Sequence, residues 1–178
     1  MVGLLSIGAV IFGTFLVAFV INRAVHVVFG AGFQLDLGYA GRVAGLVLIA
    51  TSVALLAWTF RYRKPGVLFA STAIMFYSFF KRHATEPKPT RTEPFVVVGP
   101  YRLVRHPMYL SVVLAVFGLG LFRAAPLFLI WGVVVTIWFL AVHIPFEERD
   151  LEALFGDEFR RYRKQVPELF PNGRRYEK

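Results

Sequence analysis

Residues 38–60 read GYAGRVAGLVLIATSVALLAWTF, and Arg42 is the only charged residue in this stretch. A helix needs about 20 apolar residues to cross the hydrocarbon layer of a membrane. The whole chain has the same character, since 57% of its 178 residues are hydrophobic, 17% are charged and the mean hydropathy is +0.60. This composition is too apolar for an ordinary soluble domain, so it predicts an integral membrane protein.

Five apolar segments predict an all-α, polytopic membrane protein with about five transmembrane helices. They are residues 2–21, 38–60, 65–80, 108–122 and 125–146. The third and fourth are short for a full span, so we expect them to be tilted, re-entrant or shielded by neighbouring helices. The first has no basic residue before it and no small-residue cleavage site, which favours a retained span over a signal peptide.

Lysine and arginine are concentrated in alternate connections between these segments. If the N-terminus lies outside, the cytoplasmic connections and the tail hold 16 of the 20 Lys and Arg residues, as the positive-inside rule requires. The Val-, Ala- and Arg-rich composition is typical of a prokaryotic inner-membrane protein. The net charge of +9 is spread along the connections, which favours anionic lipid headgroups over nucleic acid as partners.

The chain has no cysteine, which excludes disulfides, thiolate metal ligands and cysteine nucleophiles. We predict no metal site.

The tail after residue 146 is predicted to form an interfacial helix. Its apolar residues recur at spacings of three and four: Leu151, Leu154, Phe155, Phe159, Tyr162 and Val166. Acidic residues precede basic ones along this segment, which suits the helix dipole. Gly156 is expected to divide the helix, and Pro167 and Pro171 to end it.

The segment 98–109 reads VGPYRLVRHPMY and leads from a polar loop into the fourth apolar segment. Gly99 and Pro100 predict a turn, and Pro107 suits the first position of a helix whose free amides favour an anion. The alternative is a purely structural approach to the membrane, in which Arg102 and Arg105 extend to lipid headgroups and Tyr109 joins an aromatic belt.

The segment 143–149 reads HIPFEER and places two carboxylates where the last apolar segment meets the membrane surface. Ionisable groups at this depth are costly and usually functional. The alternative for Glu148 is a favourable interaction with the N-terminus of the tail helix. His143 is open to a third interpretation, a hydrogen bond to a neighbouring span.

Together the two segments resemble the isoprenylcysteine carboxyl methyltransferase and phospholipid methyltransferase superfamily. The resemblance is carried by Gly99-Pro100-Tyr101-Arg102, Arg105-His106-Pro107-Met108-Tyr109, Glu147-Glu148, and Phe155-Gly156-Asp157-Glu158-Phe159 with Tyr162, Val166 and Pro167. It covers residues 95–171. We therefore expect a single membrane domain, residues 1–178, in which 1–80 hold three spans and 95–171 form the catalytic region.

The resemblance implies that S-adenosylmethionine binds between the Arg-His-Pro and Glu-Glu regions. It implies catalytic roles for His106, Glu147 and Glu148. It also implies cofactor contacts from Tyr101, Arg105, His106, Pro107, Tyr109, Glu147 and Glu148. The acceptor is expected to be a lipid or another hydrophobic molecule dissolved in the membrane. Eukaryotic prenylcysteine enzymes have a longer, more acidic approach to the Glu pair than residues 143–146 provide, which disfavours prenylcysteine.

Three other functions fit parts of the sequence. A phospholipid N-methyltransferase would need a base, because a lipid amine is protonated at neutral pH. A membrane reductase of the sterol reductase type would bind NADPH, but such enzymes carry Asn where Met108 precedes Tyr109. A non-catalytic membrane protein would not need Arg105, His106 and the Glu pair together.

Overall fold

A computed structural model of the chain describes residues 37–63 and 95–173, together with positions 16, 19, 20, 23, 24, 27 and 66. The predicted spans 2–21 and 65–80 lie almost entirely outside these residues. All regular structure in the described part is helical. The all-α class is therefore confirmed there, and the number of five spans stays a prediction.

The described helices follow one another along the chain. They are α1 (Gly38–Tyr62), a short 3₁₀ helix (Gly99–Arg102), α2 (Pro107–Phe122), α3 (Pro126–Trp138), a π-helical turn (Phe139–His143) and α4 (Ile144–Gln165). Two stretches, Gly38–Tyr62 and Pro126–Gln165, are long and apolar enough to cross a membrane, and Pro107–Phe122 is a shorter apolar helix. Helices are therefore present where segments 38–60, 108–122 and 125–146 predicted them.

Proline marks the start of both helices of the α2–α3 hairpin. Pro107 and Pro126 lie at the first position, where the missing N–H costs nothing because a helix leaves its first amides unpaired. The prediction for Pro107 is confirmed. Between the helices, the Ala125 N–H donates to the Gly120 carbonyl and closes a tight connection, so α2 and α3 are neighbours.

Small residues let α1 and α2 approach closely. A Cβ added at Gly45 would lie 2.6 Å from the Gly118 carbonyl oxygen, so the two backbones are in direct contact there. Further along, the Ser52 hydroxyl donates to the Ser111 carbonyl at 2.7 Å in a buried site. Close backbone packing and hydrogen bonds of this kind drive helix association where water is absent.

The outer faces of α1 and α3 carry large exposed apolar side chains. They are Tyr39, Val43, Leu46, Val47, Val53 and Trp58 on α1, and Ile130, Val133, Val134, Ile137 and Trp138 on α3. An apolar surface this extensive is unusual for a soluble protein. It suits a lipid environment, in agreement with the composition.

The last apolar segment continues into the tail as helix without a break as far as Gly156. The predicted tail helix is therefore continuous with the last apolar segment, and its interfacial position stays a prediction. The reason for this continuity is the π-helical turn before Pro145, in which the Ile144 N–H donates to the Phe139 carbonyl five residues earlier. In a regular α-helix, the ring of Pro145 would crowd a carbonyl in the preceding turn. The π-helical turn is wider than an α-helical turn and lies at this point. Gly156 interrupts the helix at φ +51°, as predicted, and the helix ends at Gln165.

The apolar side of α4 packs mainly on the protein itself. Phe159, Tyr162 and Val166 are buried in a cluster with Phe95 and Val97. The partly buried Leu151 and Phe155 complete it. These side chains are therefore covered by Phe95 and Val97, and the interfacial position of the helix stays a prediction.

The contact at Gly45 predicts that Gly45→Ala destabilises the protein. The added methyl group would meet the backbone of α2, and overpacking of this kind costs about 1–3 kcal/mol. Unfolding in detergent, followed by circular dichroism, measures the change. Val47→Leu on the exposed face of the same helix is the matched control and should have little effect. Equal stability of Gly45→Ala and the control would contradict the close approach.

Candidate functional site

The first motif is held against the end of α1. Gly99 adopts φ +61°, and a Cβ there would collide with the Tyr62 ring. The guanidinium of Arg63 lies 5.7 Å from the centre of the Tyr101 ring. Tyr101 is buried, and its carbonyl accepts a hydrogen bond of 2.6 Å from the Tyr162 hydroxyl of α4. The predicted turn at Gly99-Pro100 is confirmed as a 3₁₀ helix.

The segment after α4 fixes the backbone of the Arg-His-Pro motif. The Arg105 N–H donates to the Pro167 carbonyl at 2.9 Å, and the His106 N–H donates to the Glu168 carbonyl at 3.1 Å. Val104 and Leu169 are buried in the same core cluster, beside these two hydrogen bonds. The C-terminal segment therefore sets the position of both functional side chains at the start of α2.

The Arg105 side chain is bound inside the protein. Its Nε donates to Glu148 Oε1 at 2.7 Å, and its Nη1 donates to the carbonyls of Arg163 at 2.9 Å and Val166 at 2.7 Å. Its Nη2 lies 3.4 Å from Glu168. Arg105 therefore does not extend to lipid headgroups, because three of its N–H groups are committed to α4 and the residue that follows it.

The His106 imidazole lies between the two glutamates. Its Nε2 is 3.2 Å from Glu148 Oε1, and its Nδ1 is 3.4 Å from Glu147 Oε2. Burial alone would lower the pKa of His106, but hydrogen bonds and charge from both carboxylates outweigh it and raise the pKa above 6.5. A carboxylate at each nitrogen favours the imidazolium, which donates from both.

Tyr109 extends the network into the helices. Its hydroxyl donates to Glu147 Oε2 at 2.7 Å and lies 2.9 Å from His143 Nε2. Its ring stacks on His106 and on Phe139, with centroid distances of 5.4 Å and 4.8 Å. The side chain is 5% exposed, so the aromatic-belt alternative is wrong for Tyr109.

The structure brings five predicted site residues into one buried network: Arg105, His106, Tyr109, Glu147 and Glu148. Pro107 begins α2 beside them, and Tyr101 is buried against α4. The two carboxylates are balanced by Arg105 and the imidazolium, so the buried charges sum to zero. This balance matters because removal of one partner of a buried ion pair destabilises a protein by about 3–5 kcal/mol.

His143 also belongs to this network, although neither motif assigned it a role. It is 6% exposed and hydrogen-bonded to Tyr109 of α2, which agrees with the interpretation of a bond to a neighbouring span. Its signal in the sequence was a polar residue inside an apolar run. Val166 and Pro167 belonged to the quoted motif, but their contacts with Arg105 could not be predicted, because they are made by backbone carbonyls.

In the described residues, the fold and the site are those of a helical membrane protein with a buried carboxylate–histidine network. A model of the phospholipid methyltransferase family matches residues 40–158. The chain belongs to that family.

Individual relatives match shorter parts of the chain. Methanethiol S-methyltransferase 1 of Bradyrhizobium diazoefficiens is 44% identical over 75 residues, which is 40% of this chain and 24% of that protein. Methanethiol S-methyltransferase of Crocosphaera subtropica is 35% identical over 95 residues, 53% of this chain and 34% of that protein.

A plant relative matches more of its own length. Protein-S-isoprenylcysteine O-methyltransferase B of Arabidopsis thaliana is 28% identical over 106 residues, 60% of this chain and 54% of that protein. The chain thus spans between a quarter and about half of the length of these relatives. No solved structure matches the chain.

The raised pKa of His106 predicts a pH-dependent contribution to stability. A histidine whose pKa is higher in the folded chain stabilises the fold fully below its unfolded value of 6.5, and this contribution is lost as the pH rises through the folded value. We expect the difference in thermal unfolding midpoint between wild type and His106→Gln to be largest at about pH 6 and to shrink at higher pH. The measurement is made in detergent.

The exposed residue Glu158 provides the control for this titration, because it lies on α4 away from the network. Because Glu158 is exposed, Glu158→Gln should have an unfolding midpoint close to that of wild type. A difference for His106→Gln that grew with rising pH would contradict the imidazolium between the two carboxylates.

Proposed function

We propose that the chain is an S-adenosylmethionine-dependent methyltransferase whose acceptor is a hydrophobic molecule dissolved in the membrane. The observation that carries this proposal is the buried network joining the Arg-His-Pro and Glu-Glu motifs at the start of α2 and on α4. Membership of a methyltransferase family supports the reaction type.

The chemistry of the site fits this cofactor. S-adenosylmethionine presents a carboxylate, an amine, a ribose diol and a sulfonium cation. Both described partners of Glu148 bind its Oε1, so its Oε2 is the oxygen offered to a ribose hydroxyl or the amine. The N-terminus of α2 begins at this site, and the dipole of a helix favours a carboxylate at that end. We assign cofactor contacts to the residues predicted above: Tyr101, Arg105, His106, Pro107, Tyr109, Glu147 and Glu148.

When bound, the cofactor supplies a methyl group already activated on its sulfonium, so the protein contributes mainly positioning and electrostatics. Glu147 and Glu148 present negative charge, and His106 holds them in one geometry through its two nitrogens. Because His106 is already protonated between them, a carboxylate of the Glu147–Glu148 pair is the group that can take up a proton. A base of this kind is needed for an amine or a neutral thiol, whereas a carboxylate is already ionised.

The proposed topology places the N-terminus outside and the site on the cytoplasmic side, in a chain of five spans. The apolar faces of α1 and α3 would then contact lipid. Helix α2 has 16 residues and a length of about 24 Å, less than the roughly 30 Å hydrocarbon layer. A short helix here would leave room for an acceptor to reach His106 from the bilayer.

Among acceptors we favour a small hydrophobic thiol. Two of the relatives described above are named for a thiol acceptor, methanethiol. The site also contains two adjacent carboxylates, Glu147 and Glu148, a type of group that could accept the proton of a thiol. The short approach to the Glu pair, residues 143–146, continues to disfavour prenylcysteine.

The cofactor assignment predicts that the purified protein in detergent binds S-adenosylmethionine. Glu148→Gln should weaken binding about tenfold, because one charged hydrogen-bond acceptor is lost. Isothermal titration calorimetry measures the affinity of the wild type and of Glu148→Gln. Glu158→Gln is the control and should bind like wild type. If the wild type binds no S-adenosylmethionine with or without added lipid, the proposal is wrong, and binding of NADPH instead would favour a reductase.

The acceptor assignment predicts transfer of a radiolabelled methyl group to a short-chain alkyl thiol. His106→Gln should lower kcat by about a hundredfold, because the side chain that holds both carboxylates in one geometry is removed. The same assay includes vesicles of phosphatidylethanolamine and a farnesylated cysteine peptide. Label in phosphatidylethanolamine and none in the thiol would replace our assignment with phospholipid N-methylation.

A further inference from the structure

His143 lies at the end of the π-helical turn and points its Nε2 at the Tyr109 hydroxyl, 2.9 Å away. Its ring meets the Tyr109 ring edge-on, with centroids 5.0 Å apart. It is buried, although it lies in the apolar part of a helix long enough to cross a membrane. A polar group in such a place usually has a purpose beyond packing.

The first and the last residue of the π-helical turn both contact Tyr109. Phe139, the first residue of the turn, stacks on the Tyr109 ring, and His143, the last, meets its hydroxyl. The extra residue in the turn rotates the positions after it relative to a regular α-helix. Turns of this kind are frequent at functional sites.

The partners of the Tyr109 hydroxyl show which group donates in its hydrogen bond with His143. A phenol has one proton to donate, and Glu147 Oε2 at 2.7 Å is its charged acceptor. The contact with His143 is then one in which Nε2–H donates to the phenol oxygen. Glu147 in turn faces His106 Nδ1, so the orientation set by His143 passes through Tyr109 to the carboxylate and the imidazole.

We propose that His143 is a positioning residue of the methyltransferase site, whose Nε2–H holds the Tyr109 hydroxyl so that it fixes Glu147 against His106. This inference rests on the proposed function for its effect on methyl transfer. The contact itself is independent of that function.

Three variants separate positioning from simple packing. His143→Phe keeps an aromatic ring but removes the donor, whereas His143→Gln places an amide N–H near the position of Nε2. Tyr109→Phe removes the hydroxyl through which His143 acts. If the residues act in series, His143→Phe combined with Tyr109→Phe is no worse than Tyr109→Phe alone.

The kinetic experiment measures kcat and KM for methyl transfer in these variants, beside their thermal unfolding midpoints. We expect His143→Phe to lower kcat about 10- to 100-fold and His143→Gln to recover most of that loss. Unchanged kcat in His143→Phe overturns the proposal. Equal losses in both variants that follow the unfolding midpoint also overturn it, because they show a role in stability alone.

Nuclear magnetic resonance of histidine-labelled protein gives a readout that needs no activity. His143→Phe should shift the His106 ring resonances and their titration, and His143→Gln should restore them. Unchanged His106 resonances in His143→Phe overturn the proposal. If the wild type neither binds S-adenosylmethionine nor transfers methyl, the proposed function fails, and this measurement still decides the contact between His143, Tyr109 and Glu147.

Discussion

The imidazole of His106 between two buried carboxylates is the interaction on which the described structure depends. Glu147 and Glu148 are adjacent in sequence and buried together, so their charges would repel unless cations lay between and beside them. His106 and Arg105 provide those cations. Because removal of either partner would leave a buried charge without compensation, the start of α2 and the first turns of α4 must be in register.

The surrounding elements keep that register. The segment after α4 holds the backbone of Arg105 and His106, while the carbonyls of Arg163 and Val166 bind the Arg105 side chain. The approach of α1 to α2 at Gly45 and Gly118 anchors the other side of α2. A network with so many connections between separate elements is rigid when every member is satisfied, and it loses more than one contact when a member is removed.

Rigidity of this kind suits a reaction in which the cofactor is already activated. Positioning accounts for a large part of the rate in such cases, so residues that hold other residues affect chemistry without touching substrate. His143 is an example, since it reaches Glu147 only through Tyr109, on the side of the network that Phe139 lines. The proposed site thus has a charged side that suits the polar cofactor and an apolar side that suits a hydrophobic acceptor.

The sequence by itself determined the apolar character, the helix starting at Pro107, the interruption at Gly156 and the pairing of two motifs, because these depend on local composition and backbone restrictions. Only the tertiary structure decided that Arg105 and Tyr109 turn inward, that the tail helix continues the last span, and that His143 joins the site. Each of these outcomes depends on a partner distant in the chain, and the partners of Arg105 include backbone carbonyls, which carry no sequence signal.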